Sequence, residues 1–181
     1  MLRKLLSYDP SFTAVFGPGV VASSGIENQV EARAKSILGL VAKINSAYSG
    51  ANGEDLFKAT NKTANALSAI GTPAKNVEAY QSLVDDLYFL FRESPGQRLG
   101  ENTPESFKDI NTLRTDLRHD VDHGEEKKVR AKKKKHSKVF EKYGGAGVPG
   151  TVDPEQFVLV HANLLGAIER DLYAVLKKHS A

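Results

Sequence analysis

Two arginines, two histidines and three aspartates crowd residues 114–123, within the run LRTDLRHDVDHG. An imidazole titrates near neutrality and can give or take a proton, whereas a guanidinium keeps its charge and grips oxyanions through parallel donors. On a helix, Ile110, Leu113, Leu117 and Val121 form one apolar stripe, which leaves two polar flanks. Arg114, Arg118 and Asp122 share one flank; Asp116, His119, Asp120 and His123 share the other. Arg118 and His123 lie five residues apart, about 140° around an ideal helix. They converge where the helix ends, and Gly124 is placed to end it. Two further arrangements remain open. His119 and His123 at i,i+4 spacing, with Asp116 and Asp120, form a candidate site for zinc or another divalent ion. Alternatively the cluster makes intrahelical ion pairs, such as Asp120 with the preceding arginines, and has no chemistry.

LRHDVDHG, residues 117–124, resembles the signature of the HEPN superfamily, in which an Arg is followed by a polar residue and, a few residues later, by a His. Arg118, His119 and His123 match it position by position, and Gly124 is also common there. Arg114 with His119 gives a second, overlapping match, and the first is preferred because His119 fills the polar position and the helix stop falls correctly. In outline the resemblance extends over residues 26–178 as an all-helical domain. It implies a metal-independent endoribonuclease without a cofactor, a homodimer whose two motifs line one cleft, and a toxin or defence role restrained by a regulatory or antitoxin protein. His123 would act as base or acid, Arg118 would hold the scissile phosphate, and His119 would orient the pair or assist from the second subunit. Arg114, Asp120 and Asp122 would support them. Some relatives carry a Tyr shortly after the motif His as a target of modification by the antitoxin; here Gly124, Glu125 and Glu126 follow. The non-catalytic counterpart is an HEPN-like module that binds RNA or protein.

The charge of the chain is uneven. Its formal net charge is +3, yet residues 125–142 hold nine Lys/Arg against three Glu, which is +6 and leaves −3 for the rest. A basic block on a mildly acidic body suits a polyanionic partner, RNA above all. Lys127, Lys128, Arg130, Lys132, Lys133, Lys134 and Lys135 are the candidate phosphate contacts; the bland alternative is a solvated helix that confers solubility. No aromatic residues alternate with these charges, so base stacking is not indicated. The chain lacks cysteine, which excludes disulfides, thiolate metal sites and thiol nucleophiles. No apolar run approaches a membrane span. The start, MLRKLL, is interrupted by Ser7, Tyr8, Asp9 and Pro10, so the expected location is cytoplasmic.

The 181 residues suit one domain with a proper core. Residues 1–25, rich in Gly, Pro and Ser around Phe12, Val15 and Phe16, read as an irregular or hairpin arm; residues 26–181 read as the helical domain. Helical spacing of Ile26, Val30, Ile37, Val41, Ile44 and Tyr48 gives a first helix ending near Gly50. A second is expected over 53–70, with Leu56, Thr60, Thr63, Leu67 and Ile70 on one face. A third starts at Pro73 and closes near Ser94, through Val77, Tyr80, Val84, Leu87 and Phe91. Thr103 and Pro104 supply an N-cap and first turn for the fourth. A basic fifth helix over 125–143 has Val129, His136, Phe140 and Tyr143 as its narrow seam. GGAGVPG then breaks the chain, and Asp153 and Pro154 open a last helix striped by Phe157, Val160, Leu164, Ile168, Leu172 and Val175. The expected fold is an all-α, up-and-down bundle of five to six helices. His136 reads as a packed core residue, and His161 and His179 stand alone.

Overall fold

The structure, a computed structural model, describes residues 23–118, 126–145 and 152–180; at Ser23, Ser24, Asp116, Arg118 and residues 126–132 it describes the backbone. The described chain is an all-α bundle with six α-helices and no strand: α1 (Ser23–Asn52), α2 (Asn61–Ala69), α3 (Val77–Tyr88), α4 (Glu105–Arg118), α5 (Glu126–Gly144) and α6 (Pro154–His179). No described helix is long and apolar enough to cross a membrane. Of the expected N-terminal arm, residues 1–25, the first 22 lie outside the described residues, and Ser23, Ser24 and Gly25 belong to the start of α1.

The two longest helices, α1 and α6, form the largest helix contact. Val30, Ala34, Ile37, Val41 and Ile44 of α1 meet the expected α6 stripe of Phe157, Val160, Leu164, Ile168, Leu172 and Val175, all buried. Each fully buried Leu, Ile or Phe side chain contributes roughly 1.5–3 kcal/mol. Close approach has a specific cause at Gly166. A β-carbon there would run into the guanidinium of Arg33, whose Nη1 donates to the Ala162 carbonyl at 2.9 Å.

Contacts along the chain fix the helix directions. Asn45 faces Phe57 while Ala34 faces Gly71, so α2 runs back along α1. Asp85 meets Arg114 and Phe91 meets Phe107, which makes α3 and α4 antiparallel. Glu105 and Asp109, in the first turns of α4, meet Lys142 and Tyr143, in the last turn of α5, so the start of one helix lies beside the end of the other. Arg33 lies beside Ala162 and Tyr48 beside His179, so α6 runs parallel to α1. Direction thus alternates from α1 through α5, and the glycine-rich stretch after α5 connects to a helix aligned with the first.

Three helix boundaries differ from the sequence reading. The stretch 53–60 is a loop, not the start of α2. Gly53 leaves α1 at φ +72°, Leu56 and Phe57 drop into the core, and Asn45 binds both polar groups of Phe57, its Oδ1 accepting from the amide at 2.8 Å and its Nδ2 donating to the carbonyl at 2.7 Å. The Thr60 hydroxyl then caps α2 by accepting from the Thr63 amide. The third helix begins at Val77 and not at Pro73, because the Asn76 side chain accepts from the Ala79 amide at 2.8 Å and sets the start there. Thr103 does not cap α4; its hydroxyl donates back to the Gly100 carbonyl at 2.7 Å. Asp171 of α6 does that work across the bundle, accepting from the Ser106 amide at 3.1 Å and from its hydroxyl at 2.7 Å.

After Tyr88 the chain widens into one π-helical turn, Phe89–Glu93, closed by the Ser94 amide on the Phe89 carbonyl at 2.8 Å. Five-residue spacing lets the adjacent Leu90 and Phe91 both enter the core, while Phe89 stays at the edge under the Lys62 ammonium, 3.9 Å from its centroid. Phe91 then contacts Phe57 and Phe107, joining the loop, α3 and α4.

Candidate functional site

Helix α4 carries the motif's leading residues. Ile110 and Leu113 of the apolar stripe expected for this helix are fully buried beside Phe107, Leu117 packs at the core's edge, and Val121 lies outside the described residues. Its base is tied to both neighbours: Asp171 binds Ser106, and Asp109 Oδ2 accepts from Tyr143 Oη and Lys142 Nζ, each at 2.8 Å. Lys142 also donates to Glu105 at 2.6 Å and thereby holds that carboxyl below its ordinary range. Lys142 therefore serves the α4–α5 contact rather than the basic surface.

Near its other end α4 is tied by Arg114. The guanidinium Nε lies 3.3 Å from Asp85 Oδ1, and its carbon sits 4.1 Å from the centroid of the Tyr88 ring, both on α3. Arg114 is thus engaged in an ion pair and a cation–π contact within the bundle. Beside it, Asp86 has a raised pKa, caused first by burial and then by the neighbouring Asp85 charge. The motif match that begins at Arg114 thus starts from an arginine already occupied in packing. Arg118, one turn further along, is the last described residue of α4, and the expected continuation through Val121 to Gly124 lies outside the described residues.

His119, Asp120, Asp122 and His123 lie outside the described residues, so the convergence of His123 on Arg118 does too. The alternative metal set of Asp116, His119, Asp120 and His123 has one member, Asp116, on α4 by its backbone, and its other three members lie outside. Among the described residues no group of three metal-ligating side chains comes together.

The basic residues fall where α5 was expected. Lys127, Lys128, Arg130 and Lys132 are on its backbone, and Lys133, Lys134 and Lys135 are exposed. His136, Val139, Phe140 and Tyr143 form the buried seam opposite, and His136 is a packed residue as expected. Helices α4 and α5 pack against one another, and the exposed lysines lie near the middle of α5.

Two other features were candidates for chemistry. His161 is fully buried; its Nε2 donates to the Ile70 carbonyl at 3.0 Å, and its Nδ1 accepts from the Ala74 amide at 3.3 Å. Burial lowers its pKa to about 4, so it is a neutral structural group that holds the α2–α3 connection on α6. A groove of about 400 Å³ between α1 and α2, lined by residues such as Leu38, Val41, Phe57, Ala64 and Leu67, contains no titratable side chain. It offers shape without acid–base chemistry.

Sequence reasoning missed Asp85, Tyr88, Asp109 and Asp171. Each acts across helices, at separations from 26 to 65 residues, where no local spacing signals the pairing. The chain matches no family model, no curated protein and no solved structure.

Proposed function

We propose that this chain is a metal-independent endoribonuclease of the HEPN type, acting on single-stranded RNA as a homodimer. The observation that supports the reading is that α4, whose last described residue is Arg118, packs against α5, which exposes Lys133, Lys134 and Lys135. A phosphate-binding arginine, the two motif histidines that follow it, and a cationic surface for the flanking backbone then lie within a short stretch of chain. The occupation of Arg114 by Asp85 and Tyr88 favours the match that begins at Arg118.

In this reaction a histidine removes the ribose 2′-hydroxyl proton as that oxygen attacks phosphorus. Arg118 neutralises the charge growing on the phosphorane, and a second proton donor protonates the 5′-oxygen as its bond to phosphorus breaks. His123 fills one proton-transfer role; His119, or a histidine of the second subunit, fills the other. The products are a 2′,3′-cyclic phosphate and a 5′-hydroxyl, with no net change in protons held by the enzyme.

The test is incubation of the purified protein with labelled single-stranded RNA, with and without chelator, beside the His123→Ala variant. Cleavage that survives the chelator, gives cyclic-phosphate ends and is lost in the variant is the expected result. Products with 3′-hydroxyl ends, or dependence on a divalent ion, would overturn the mechanism. Salt-sensitive RNA binding without cleavage would identify the non-catalytic module.

A further inference from the structure

We propose that the groove between α1 and α2 is the docking site of the chain's own N-terminal arm, with Phe12 and Phe16 as the anchoring side chains. This docking is independent of the ribonuclease reading.

The groove is apolar because its polar groups are already engaged. Asn45 binds both backbone groups of Phe57, the Thr60 hydroxyl accepts from the Thr63 amide, and the Thr63 hydroxyl donates to the Lys58 carbonyl. What remains open to a ligand is the surface of Leu38, Val41, Phe57, Ala64 and Leu67, and Leu38 is 51% exposed. A groove of about 400 Å³ takes a few side chains. A stable interface with a second subunit buries roughly 1,200–2,000 Å², which this groove alone does not offer. A segment of the same chain needs less surface, because its tether keeps it at high effective concentration.

Charge and reach select the segment. Residues 10–26 contain no Asp, Glu, Lys, Arg or His, and the groove is lined by no titratable side chain, so docking strands no charge on either side. Further upstream, Arg3 and Lys4 interrupt the apolar run of the first six residues. Helix α1 starts at Ser23 and rises about 1.5 Å per residue, which puts Leu38 about 22 Å and Val41 about 27 Å along its axis. An extended chain spans at most about 3.6 Å per residue, or about 25 Å from Ser23 to Phe16, about 40 Å to Phe12 and only about 11 Å to Val20. Phe16 therefore reaches the near rim at Leu38. Phe12 reaches past it with about 10 Å in hand for the chain to turn back along α1. Val20 and Val21 fall short.

The chain has no cysteine, so pairs of thiols can be introduced without background. In an extended segment residue 14 shares a face with residues 12 and 16. The test follows disulfide formation under mild oxidation in the full chain carrying Ala14→Cys with Ala64→Cys, whose second site is exposed in the groove. The control is Ala14→Cys with Arg170→Cys, exposed on α6 at a similar height along α1, since Arg33 lies beside Ala162 and Tyr48 beside His179. The groove pair is expected to close within one chain about tenfold faster than the control, or more. Phe12→Ser with Phe16→Ser should remove that preference. Leu38→Ser, at an exposed position, should do the same and supplies the reading if the arm variant folds poorly. Equal rates for the two pairs overturn the proposal, and so does a preference that survives these substitutions. A bond that forms only between chains, at a rate rising with protein concentration, also overturns it and assigns the groove to a second copy.

Discussion

His161 shows how a residue type associated with catalysis can be committed to structure. Its two ring nitrogens satisfy a buried amide and a buried carbonyl, Ala74 N and Ile70 O, and the arrangement requires the neutral ring with its proton on Nε2. Burial lowers the pKa from 6.5 to about 4, so the unfolded chain binds a proton more readily than the folded one. The stability from this group is therefore complete above pH 6.5 and is lost as the pH falls toward 4. A shift of that size corresponds to about 3 kcal/mol. Chemical denaturation of wild type and His161→Leu at pH 7.5, 6, 5 and 4 isolates this term as the difference between the two proteins. The variant should be less stable at pH 7.5 by roughly 2–4 kcal/mol, since an amide and a carbonyl lose their partner, and the gap should close as the pH falls. A gap independent of pH would show that His161 does not titrate as described.

At the scale of elements, the loop between α1 and α2 is the clearest departure from what periodicity implies. Leu56 continues the phase of Thr63, Leu67 and Ile70, so an apolar face running from 53 to 70 is visible in the sequence although the chain is not helical before Asn61. The structure places Leu56 in the core through a non-helical, bent path in which Asn45 binds the backbone of Phe57. Asn45→Ala would strip two hydrogen bonds from the Phe57 backbone and should destabilise the protein by roughly 2 kcal/mol, read as a lower midpoint in urea with an unchanged slope. An effect below about 0.5 kcal/mol would mean that the loop repacks without it. The same contrast separates what could be read in advance from what could not. Long stripes such as Val30 to Ile44 and Phe157 to Val175 announce their helices, and the seam His136, Phe140 and Tyr143 identifies the buried side of a very basic helix. The caps Thr60 and Asn76 lie beside their helices and were still misread, because apolar periodicity carried Thr60 into a helix face and Pro73 offered an earlier start. The Asp171 cap and the Asp85–Arg114 pair carried no local signal, because a carboxylate in one helix says nothing about which amide or guanidinium packing will bring to it. Of the candidate site, the position of Arg118 and the basic surface were legible, while the partners that hold α4 came only from its packing.

Across the whole molecule, the separation of charge argues for where RNA would lie. The +6 carried by residues 125–142 is concentrated on α5, against −3 elsewhere. The helix turns a buried seam inward, exposes Lys133, Lys134 and Lys135, and packs against α4. Lys142, at the far end of the same run, is taken up by Glu105 and Asp109, so the cationic surface is weighted toward the motif end rather than spread evenly along the helix. Single-stranded nucleic acid held by phosphate contacts binds with an affinity whose logarithm falls with the logarithm of salt concentration, by about 0.7 for each phosphate neutralised. Lys134→Gln with Lys135→Gln removes two exposed charges and leaves the seam untouched. RNA binding by a cleavage-deficient His123→Ala protein, titrated from 50 to 300 mM salt, should therefore lose roughly 1.4 from its slope when both substitutions are added. Lys142→Gln should instead lower thermal stability through loss of its two carboxylate contacts and alter the slope little. Equal slopes for the double variant and its parent would place the RNA on another surface and detach the basic helix from the site at the end of α4.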